Sequence, residues 1–227
     1  MNLNKSREVF DPSLVSAPIH IIGCGSVGST IAELLARYGL TKFVLWDMDI
    51  VEEKNIVNQI FFQEHVGSNK TDALFDVLCR INPACKTTVT RHSGGWHGEP
   101  LAGYIFLCVD TIEIRREIVQ KNRYNANIKA MFDVRTALYD AQLYAADWKD
   151  PQAKASLLDS MNFSHDQAQS EVAVSACGEA LGVAPTVRMA ACLTVTNFQQ
   201  FVKNGSLKNI ILCSPFRLES DGAVTAM

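Results

Sequence analysis

The sequence feature that most constrains the fold is a glycine-rich turn between an apolar stretch and a helical pattern. Gly23, Gly25 and Gly28 have the spacing G-x-G-x-x-G. In such a turn the first glycine permits a sharp bend, the second lets a phosphate approach the backbone, and the third lets the helix pack closely on the strand. The unpaired N–H groups and positive dipole end of the helix also favour an anion. We therefore predict a nucleotide-binding βαβ unit with phosphate contacts from Gly23, Gly25, Ser26, Val27 and Gly28.

A carboxylate at the end of the next apolar stretch agrees with this interpretation. The stretch KFVLWD predicts a second buried strand that ends at Asp47. An acid about 20 residues beyond the glycine turn commonly binds a ribose hydroxyl, and we predict that role for Asp47. Two alternatives stay open at this point: a glycine cluster that serves only packing, and Asp47 as a surface acid without a ligand.

The order of elements predicts the fold class. Strands and helices alternate through the first half of the chain, which indicates βαβ units and a parallel sheet. The stretch KAMFDVRTALYDAQLYAAD indicates two further strands, and a long helical pattern ends at Gly205. We expect one Rossmann-like α/β domain over residues 1–227, with a parallel front half and an antiparallel C-terminal continuation of one sheet. Residues 1–17 are expected to form a polar arm, and residues 147–170 a mobile surface loop.

Charge and composition argue against several classes of function. The chain has 24 acidic and 21 basic residues and a formal net charge of −3, so nothing in its charge favours nucleic acid as a partner. Its apolar stretches are too short to cross a bilayer, and its N-terminus lacks the apolar centre of a signal peptide. We therefore expect a cytoplasmic protein with no membrane contact and with reduced cysteines. None of the seven cysteines forms a CxxC pair, which argues against structural zinc.

The segment after the second strand distinguishes between nucleotides. A nicotinamide enzyme shares the glycine turn and the acid, but it does not need the polar residues that follow here. Amide and ammonium groups can donate hydrogen bonds to phosphate oxygens, and the ammonium also neutralises their charge. The sequence therefore favours ATP over NAD. The further residues predicted to bind ATP are Asp49, Asn55, Asn58, Gln59 and Lys70.

Taken together, these motifs resemble the ThiF/MoeB proteins, which are relatives of the ubiquitin-activating enzymes. The family pattern runs D-x-D-x-V-x-x-x-N-L-x-R-Q, then G-x-x-K, then a strand ending in D-N-x-x-x-R. The stretch Cys177–Pro185 also resembles the family's C-x-x-A-G-V-x-x-P before a long helix. The resemblance covers about residues 19–205, and the short chain looks most like compact ThiF-like proteins of phages and mobile elements. Matching positions are Asp47, Asp49, Val51, Asn55, Gln59, Gly67, Lys70, Asp110 and Arg115.

The resemblance implies an activity and a set of roles. Family members activate a carboxylate with Mg-ATP as an acyl-adenylate, usually the Gly-Gly tail of a small ubiquitin-like protein. It further implies a homodimer, in which Arg7 would reach the ATP of the neighbouring subunit, and a catalytic role for Lys70. Asp110 ends the apolar stretch YIFLCVD, and a carboxylate at a strand end can hold Mg2+. Cys177 precedes a helix, whose N-terminus lowers a thiol pKa, and some relatives transfer the acyl group to a cysteine.

Several of these residues also have a purely structural interpretation. Arg7 can be a solvated residue of the arm, Lys70 a surface lysine, Asp110 a helix N-cap, and Cys177 a buried packing residue. Arg115 can either brace the site or pair with acids on its own helix. These alternatives stay open at the level of sequence.

Two positions depart from the family pattern. Asn58 stands where the family has an arginine that neutralises phosphate charge, and Thr111 stands where it has an asparagine. Despite these departures, the resemblance as a whole predicts an active adenylyltransferase. A degenerate relative that binds nucleotide and acts as a binding partner is the main alternative. An NAD-dependent oxidoreductase is the remaining one.

Overall fold

The computed structural model describes residues 1–164 and 182–217, and it contains a seven-stranded sheet in the order β3-β2-β1-β4-β5-β6-β7. The strands are β1 (Ile19–Ile22), β2 (Phe43–Trp46), β3 (Thr90–His92), β4 (Gly103–Leu107), β5 (Ile128–Thr136), β6 (Ala141–Asp147) and β7 (Ile210–Cys213). The helices are α1 (Ser26–Arg37), α2 (Lys70–Ile81), α3 (Ile112–Lys121), α4 (Pro151–Asp159) and α5 (Ala184–Asn204). Short 3-10 helices occupy Pro12–Leu14, Glu53–Val57, Gln63–His65 and Pro83–Thr87.

The first five strands are parallel and the last two are antiparallel. Among the five parallel strands β1 is the central one: it pairs with β2 and β4, which in turn pair with β3 and β5. Strand β6 returns antiparallel to β5, and β7 is antiparallel to β6. The predicted Rossmann-like α/β fold, with an antiparallel continuation of one sheet, is therefore confirmed. Because the first five strands are parallel, their carboxyl ends meet at one edge of the sheet.

Helices cover both faces of the sheet because successive side chains of a strand point to opposite sides. In β4, Tyr104 and Phe106 join one buried cluster, whereas Ile105 and Leu107 join the other. Phe198 of α5 lies against the first face, with its ring 5.7 Å from that of Phe106. Burying a side chain of this size contributes roughly 1.5–3 kcal/mol, so these contacts hold α5 firmly on the sheet. Helix α5 ends where predicted, at Gly205 with φ of 76°.

Two segments expected to be loose are ordered and packed. Residues 151–159 form α4, whose N-terminus is capped by Asp150 and whose Leu157 side chain is buried. The prediction of a mobile loop over 147–170 is therefore wrong up to residue 159, and residues 165–170 lie outside the described part. The N-terminal arm is also more than a polar tail, because Phe10 is only 2% exposed and packs edge-on against Tyr38.

No helix within residues 1–164 and 182–217 combines the length and the apolar composition that a membrane crossing requires.

Candidate functional site

The glycine turn lies between β1 and α1, and the surroundings of its three glycines differ. Gly23 has φ of 94°, and a Cβ there would lie 2.6 Å from the backbone of Cys108. A Cβ on Gly28 would collide with the carbonyl oxygen of Gly23. Both positions therefore require glycine for a tight turn and close packing. A Cβ on Gly25 would have no heavy atom within 4 Å, so open space lies beside the N-terminus of α1, where a phosphate would approach.

Asp47 links the end of β2 to this turn. Its Oδ2 accepts a hydrogen bond from the backbone N–H of Cys24 at 2.6 Å, and its Oδ1 accepts one from Asp49 at 2.9 Å. Partial burial raises the pKa of Asp47, and these two hydrogen bonds oppose that rise. A carboxylate offers about four lone-pair sites, so both oxygens keep capacity to accept from a hydroxyl. This position beside the glycine turn fits the predicted ribose contact better than an unengaged surface acid.

Lys70 is buried and paired, which rules out the surface-lysine interpretation. It is the first residue of α2 and is 8% exposed. Its Nζ lies 2.7 Å from Oδ2 of Asp49, and its backbone N–H donates to the Asp49 carbonyl. Two members of the predicted site, separated by 21 positions in the chain, are therefore in direct contact. The ammonium is held next to the segment that leaves β2.

The three predicted amides have different surroundings. Asn55 uses its Oδ1 to accept from the backbone of Glu52, which closes the short helix Glu53–Val57. Asn58 donates from Nδ2 to the carbonyl of Gly182 at 3.4 Å. Gln59 has a buried Oε1 without a hydrogen-bond partner. A buried acceptor left unpaired costs about 1–3 kcal/mol, so Gln59 is the amide whose surroundings call for a donor from outside the described chain.

Asp110 lies near the glycine turn but not at the end of a strand. Strand β4 ends at Leu107, and Asp110 is exposed in the loop that leads to α3. The backbone of this loop touches Gly23, as the close approach of Cys108 shows. Thr111, and not Asp110, is the N-cap residue of α3, and its hydroxyl donates to Asp110 at 3.1 Å. The helix-cap alternative is therefore wrong. Asp110 was predicted to end the strand, but it lies three residues beyond the strand end.

A buried ion pair supports the loop that carries Asp110. The Arg115 guanidinium donates to Asp133 and to the carbonyls of Leu107 (3.1 Å) and Val134 (3.0 Å), and also to that of Val109. Arg115 is 5% exposed and Asp133 is fully buried. Arg115 thus braces the loop beside the site, and it is not part of an exposed charged helix face.

Sequence reasoning missed Asp133 and its second partner, Arg135. Arg135 donates a hydrogen bond from Nε to Asp133 at 2.7 Å, and it donates another from Nη1 to the carbonyl of Ser160. One signal was available in the sequence. A charge inside the apolar run of β5, in the letters A-M-F-D-V, is costly unless it is paired.

The structure does not bring Arg7 to the glycine turn of its own chain. Arg7 is largely exposed and lies 3.7 Å from Asp11. The segment around it packs against Gly39, just beyond the far end of α1, where an added Cβ would touch Leu3 and Pro12. A helix of this length spans roughly 18 Å, and the segment that carries Arg7 contacts the end of α1 opposite the turn. The fourth predicted catalytic residue, Cys177, lies outside the described residues.

One cluster of possible metal ligands occurs elsewhere among the described residues. Glu64, His65 and Asp76 have ligand atoms close together. Both ring nitrogens of His65 already have partners, the Phe62 N–H and the Asp76 carboxylate. Arg80 pairs with Glu64 and with Asp76 at 2.7 Å in each case. Internal charge pairing accounts for this cluster.

Parts of this sequence are similar to known proteins. Ubiquitin-like modifier-activating enzyme 5 of Arabidopsis thaliana is 46% identical over 66 residues, which are 29% of this chain and 15% of that protein. The enzyme of the same name from Dictyostelium discoideum is 36% identical over 118 residues, 44% of this chain and 30% of that protein. The matched stretches therefore span less than a third of either relative.

Two crystal structures share the fold at low identity. PaaA superposes with a TM-score of 0.67 at 17% identity, covering 92% of this chain and 64% of that one. Escherichia coli MccB, crystallised with ATP, gives 0.65 at 19% identity, with 91% and 63% coverage. The sequence also matches the ThiF family over residues 3–214, and since that match spans almost the entire chain, the protein belongs to the ThiF family.

Proposed function

We propose that this protein is an ATP-dependent adenylyltransferase that activates a carboxylate as an acyl-adenylate. The observation that carries the proposal is the open space beside Gly25, at the positive end of α1, next to the anchored carboxylate of Asp47. Backbone N–H groups there suit a phosphate, and the carboxylate suits a ribose. Membership of the ThiF family supports the same activity.

Three groups favour ATP over NAD. Lys70 holds a buried ammonium against Asp49, and such a charge is valuable next to a triphosphate. The orphaned Oε1 of Gln59 can accept a hydrogen bond from a nucleotide amine or hydroxyl. Asp110 borders the turn and is free of the helix-capping role, so it is our candidate ligand for Mg2+. When bound there, Mg2+ would neutralise phosphate charge.

The proposed chemistry is a displacement at phosphorus. An oxygen of the carboxylate substrate attacks the α-phosphorus, the bond to the bridging oxygen breaks, and pyrophosphate leaves with its electron pair. The protein has little covalent work to do in such a step, so positioning and charge neutralisation dominate. Asp47 and the glycine turn would position the nucleotide, and Lys70 would offset negative charge on the phosphates.

The substrate is proposed from the relatives. The similar plant and slime-mould proteins are named as activating enzymes for a ubiquitin-like modifier, and MccB was crystallised with MccA. We propose the C-terminus of a small ubiquitin-like protein or of a peptide as the carboxyl donor. We further propose a cytoplasmic homodimer in which the partner copy supplies Arg7, because Arg7 lies far from the turn of its own chain.

One observation favours a second candidate function. Asn58 is neutral, and its amide contacts Gly182. A ThiF relative without a cation at that position can bind nucleotide without turning it over and serve as a binding partner. This alternative shares the ATP-binding site with the first and differs from it only in catalysis.

ATP–pyrophosphate exchange with candidate carboxyl donors, including peptides that end in Gly-Gly, separates the two. An adenylyltransferase exchanges label only when a suitable donor is present. Lys70→Gln should lower exchange, whereas Lys129→Gln, at an exposed lysine on β5, should not. ATP binding without exchange for any donor would favour the binding partner. Tighter binding of NAD than of ATP in calorimetry would overturn both functions.

A further inference from the structure

Asn58 stands where the resemblance to the ThiF/MoeB pattern implies an arginine that neutralises phosphate charge. Asn58 can donate a hydrogen bond but carries no charge. Its amide is also engaged, at 3.4 Å from the carbonyl of Gly182, two residues before α5 begins. Phosphate charge at the glycine turn would therefore be offset from the protein side by Lys70 and by whatever other cation is within reach.

Arg188 is such a cation, and its guanidinium contacts α1 at Thr30 and Glu33, about one and two turns beyond Ser26. It sits about one turn into α5, which packs along α1. Its Nη1 donates to Oγ1 of Thr30 at 2.9 Å, and that hydroxyl donates to the carbonyl of Ser26 at 2.8 Å. Ser26 is the first residue of α1 and follows Gly25 directly. Two hydrogen bonds in series therefore connect the guanidinium to Ser26, next to the turn. The Arg188 side chain is 42% exposed.

Arg188 can leave its present contacts at little cost. Its acidic partner is Glu33, at 3.4 Å. Arg37 already holds Glu33 with two shorter hydrogen bonds, from Nε at 3.0 Å and Nη2 at 2.9 Å. Thr30 keeps its bond to Ser26 in either case. Moving the guanidinium would therefore leave neither Glu33 nor Thr30 without a partner.

We propose that Arg188 binds the β- and γ-phosphates of ATP and so supplies the charge that Asn58 lacks. The inference rests on the proposed function, since it assumes that the glycine turn holds ATP. A guanidinium is suited to this role because its planar fork of donors matches phosphate oxygens and its charge persists at any working pH. The long side chain exchanges the Thr30 hydroxyl for phosphate oxygens when ATP is bound.

Calorimetric binding of ATP and of AMP tests the proposal without relying on turnover. Arg188→Gln should weaken ATP by about tenfold or more, the value of one charged hydrogen bond, and should change AMP by less than about twofold. Arg188→Lys should retain part of the ATP affinity because it keeps the charge. Arg37→Gln is the matched control, since it removes the other arginine at Glu33, and both affinities should stay unchanged. Adding Asn58→Arg to Arg188→Gln should restore ATP binding.

The possible outcomes are distinct. If the wild-type protein binds ATP and Arg188→Gln binds it equally well, the inference is wrong and the proposed function stands. Equal losses for ATP and AMP, with a lower melting temperature, would show that Arg188 only braces α5 on α1, and would also overturn it. Failure of Asn58→Arg to restore binding would overturn the claim that one position replaces the other. If the wild-type protein does not bind ATP, the proposed function fails and the inference falls with it.

Discussion

Removing the charge of Asp133 should destabilise the protein severely. This carboxylate is fully buried in β5 and accepts hydrogen bonds from both Arg115 and Arg135. Asp133→Asn keeps the size of the side chain but leaves the buried guanidinium of Arg115 without its counter-charge. Arg115 is 5% exposed, so water cannot readily replace the lost partner.

The magnitude follows from the burial. Breaking a buried ion pair by removing one partner costs about 3–5 kcal/mol. Domains of ordinary stability have about 5–15 kcal/mol in total, so the change is a large fraction of it. For a chain of this length each kcal/mol lowers the melting temperature by about 2–4 °C, which predicts a fall of roughly 6–20 °C.

Urea unfolding followed by tryptophan fluorescence measures this loss directly. Asp72→Asn provides the matched control, because Asp72 pairs with Arg91 at 2.7 Å while both side chains are more than 40% exposed. An exposed pair contributes at most about 1 kcal/mol, so the control should unfold almost like the wild type. The reasoning is refuted if Asp133→Asn loses less than about 1 kcal/mol, or no more than Asp72→Asn.

Three further predictions concern the site and the pH response. Asp110→Asn should leave the melting temperature unchanged and lower ATP–pyrophosphate exchange on the order of 100-fold, because it removes a charge that acts in the transition state; near-normal exchange would mean that the metal lies elsewhere. Burial lowers the pKa of His20 to about 4, so the unfolded chain takes up a proton there first as the pH falls. Stability should therefore drop by about 3 kcal/mol between pH 6.5 and pH 4, and His20→Gln, which can still accept from Trp46, should flatten this drop in urea titrations. Cys177→Ser should leave adenylate formation intact and abolish acyl transfer to a thiol if that cysteine carries the acyl group; unchanged transfer would end the covalent hypothesis.

Local patterns in the sequence are sufficient to predict the architecture. The glycine spacing, the apolar stretches and the helix stop at Gly205 each involve residues within a few positions of one another. Their signals come from backbone conformation and side-chain periodicity, which are short-range properties. This is why the alternation of strands and helices in the parallel front half and the antiparallel continuation were predictable, whereas α4 was not.

The contacts that hold the site together were not predictable in the same way. Lys70 and Asp49 are 21 positions apart, and Arg115 and Asp133 are 18 apart. Whether such charges pair depends on which element ends beside which other element. The family pattern named Lys70 and Arg115, but it did not show that Asp133 is the partner of Arg115.

The sequence alone therefore determined the glycine turn between the first strand and helix, the class of fold and the choice of most candidate residues of the site. Only the tertiary structure decided which charges are buried, that Asp110 lies in a loop beyond its strand, that residues 151–159 form a helix, and that Arg188 contacts Thr30 about one turn into α1. The physical reason is that burial and long-range pairing arise from the packing of whole elements, in which each charge must find a partner that the fold brings close.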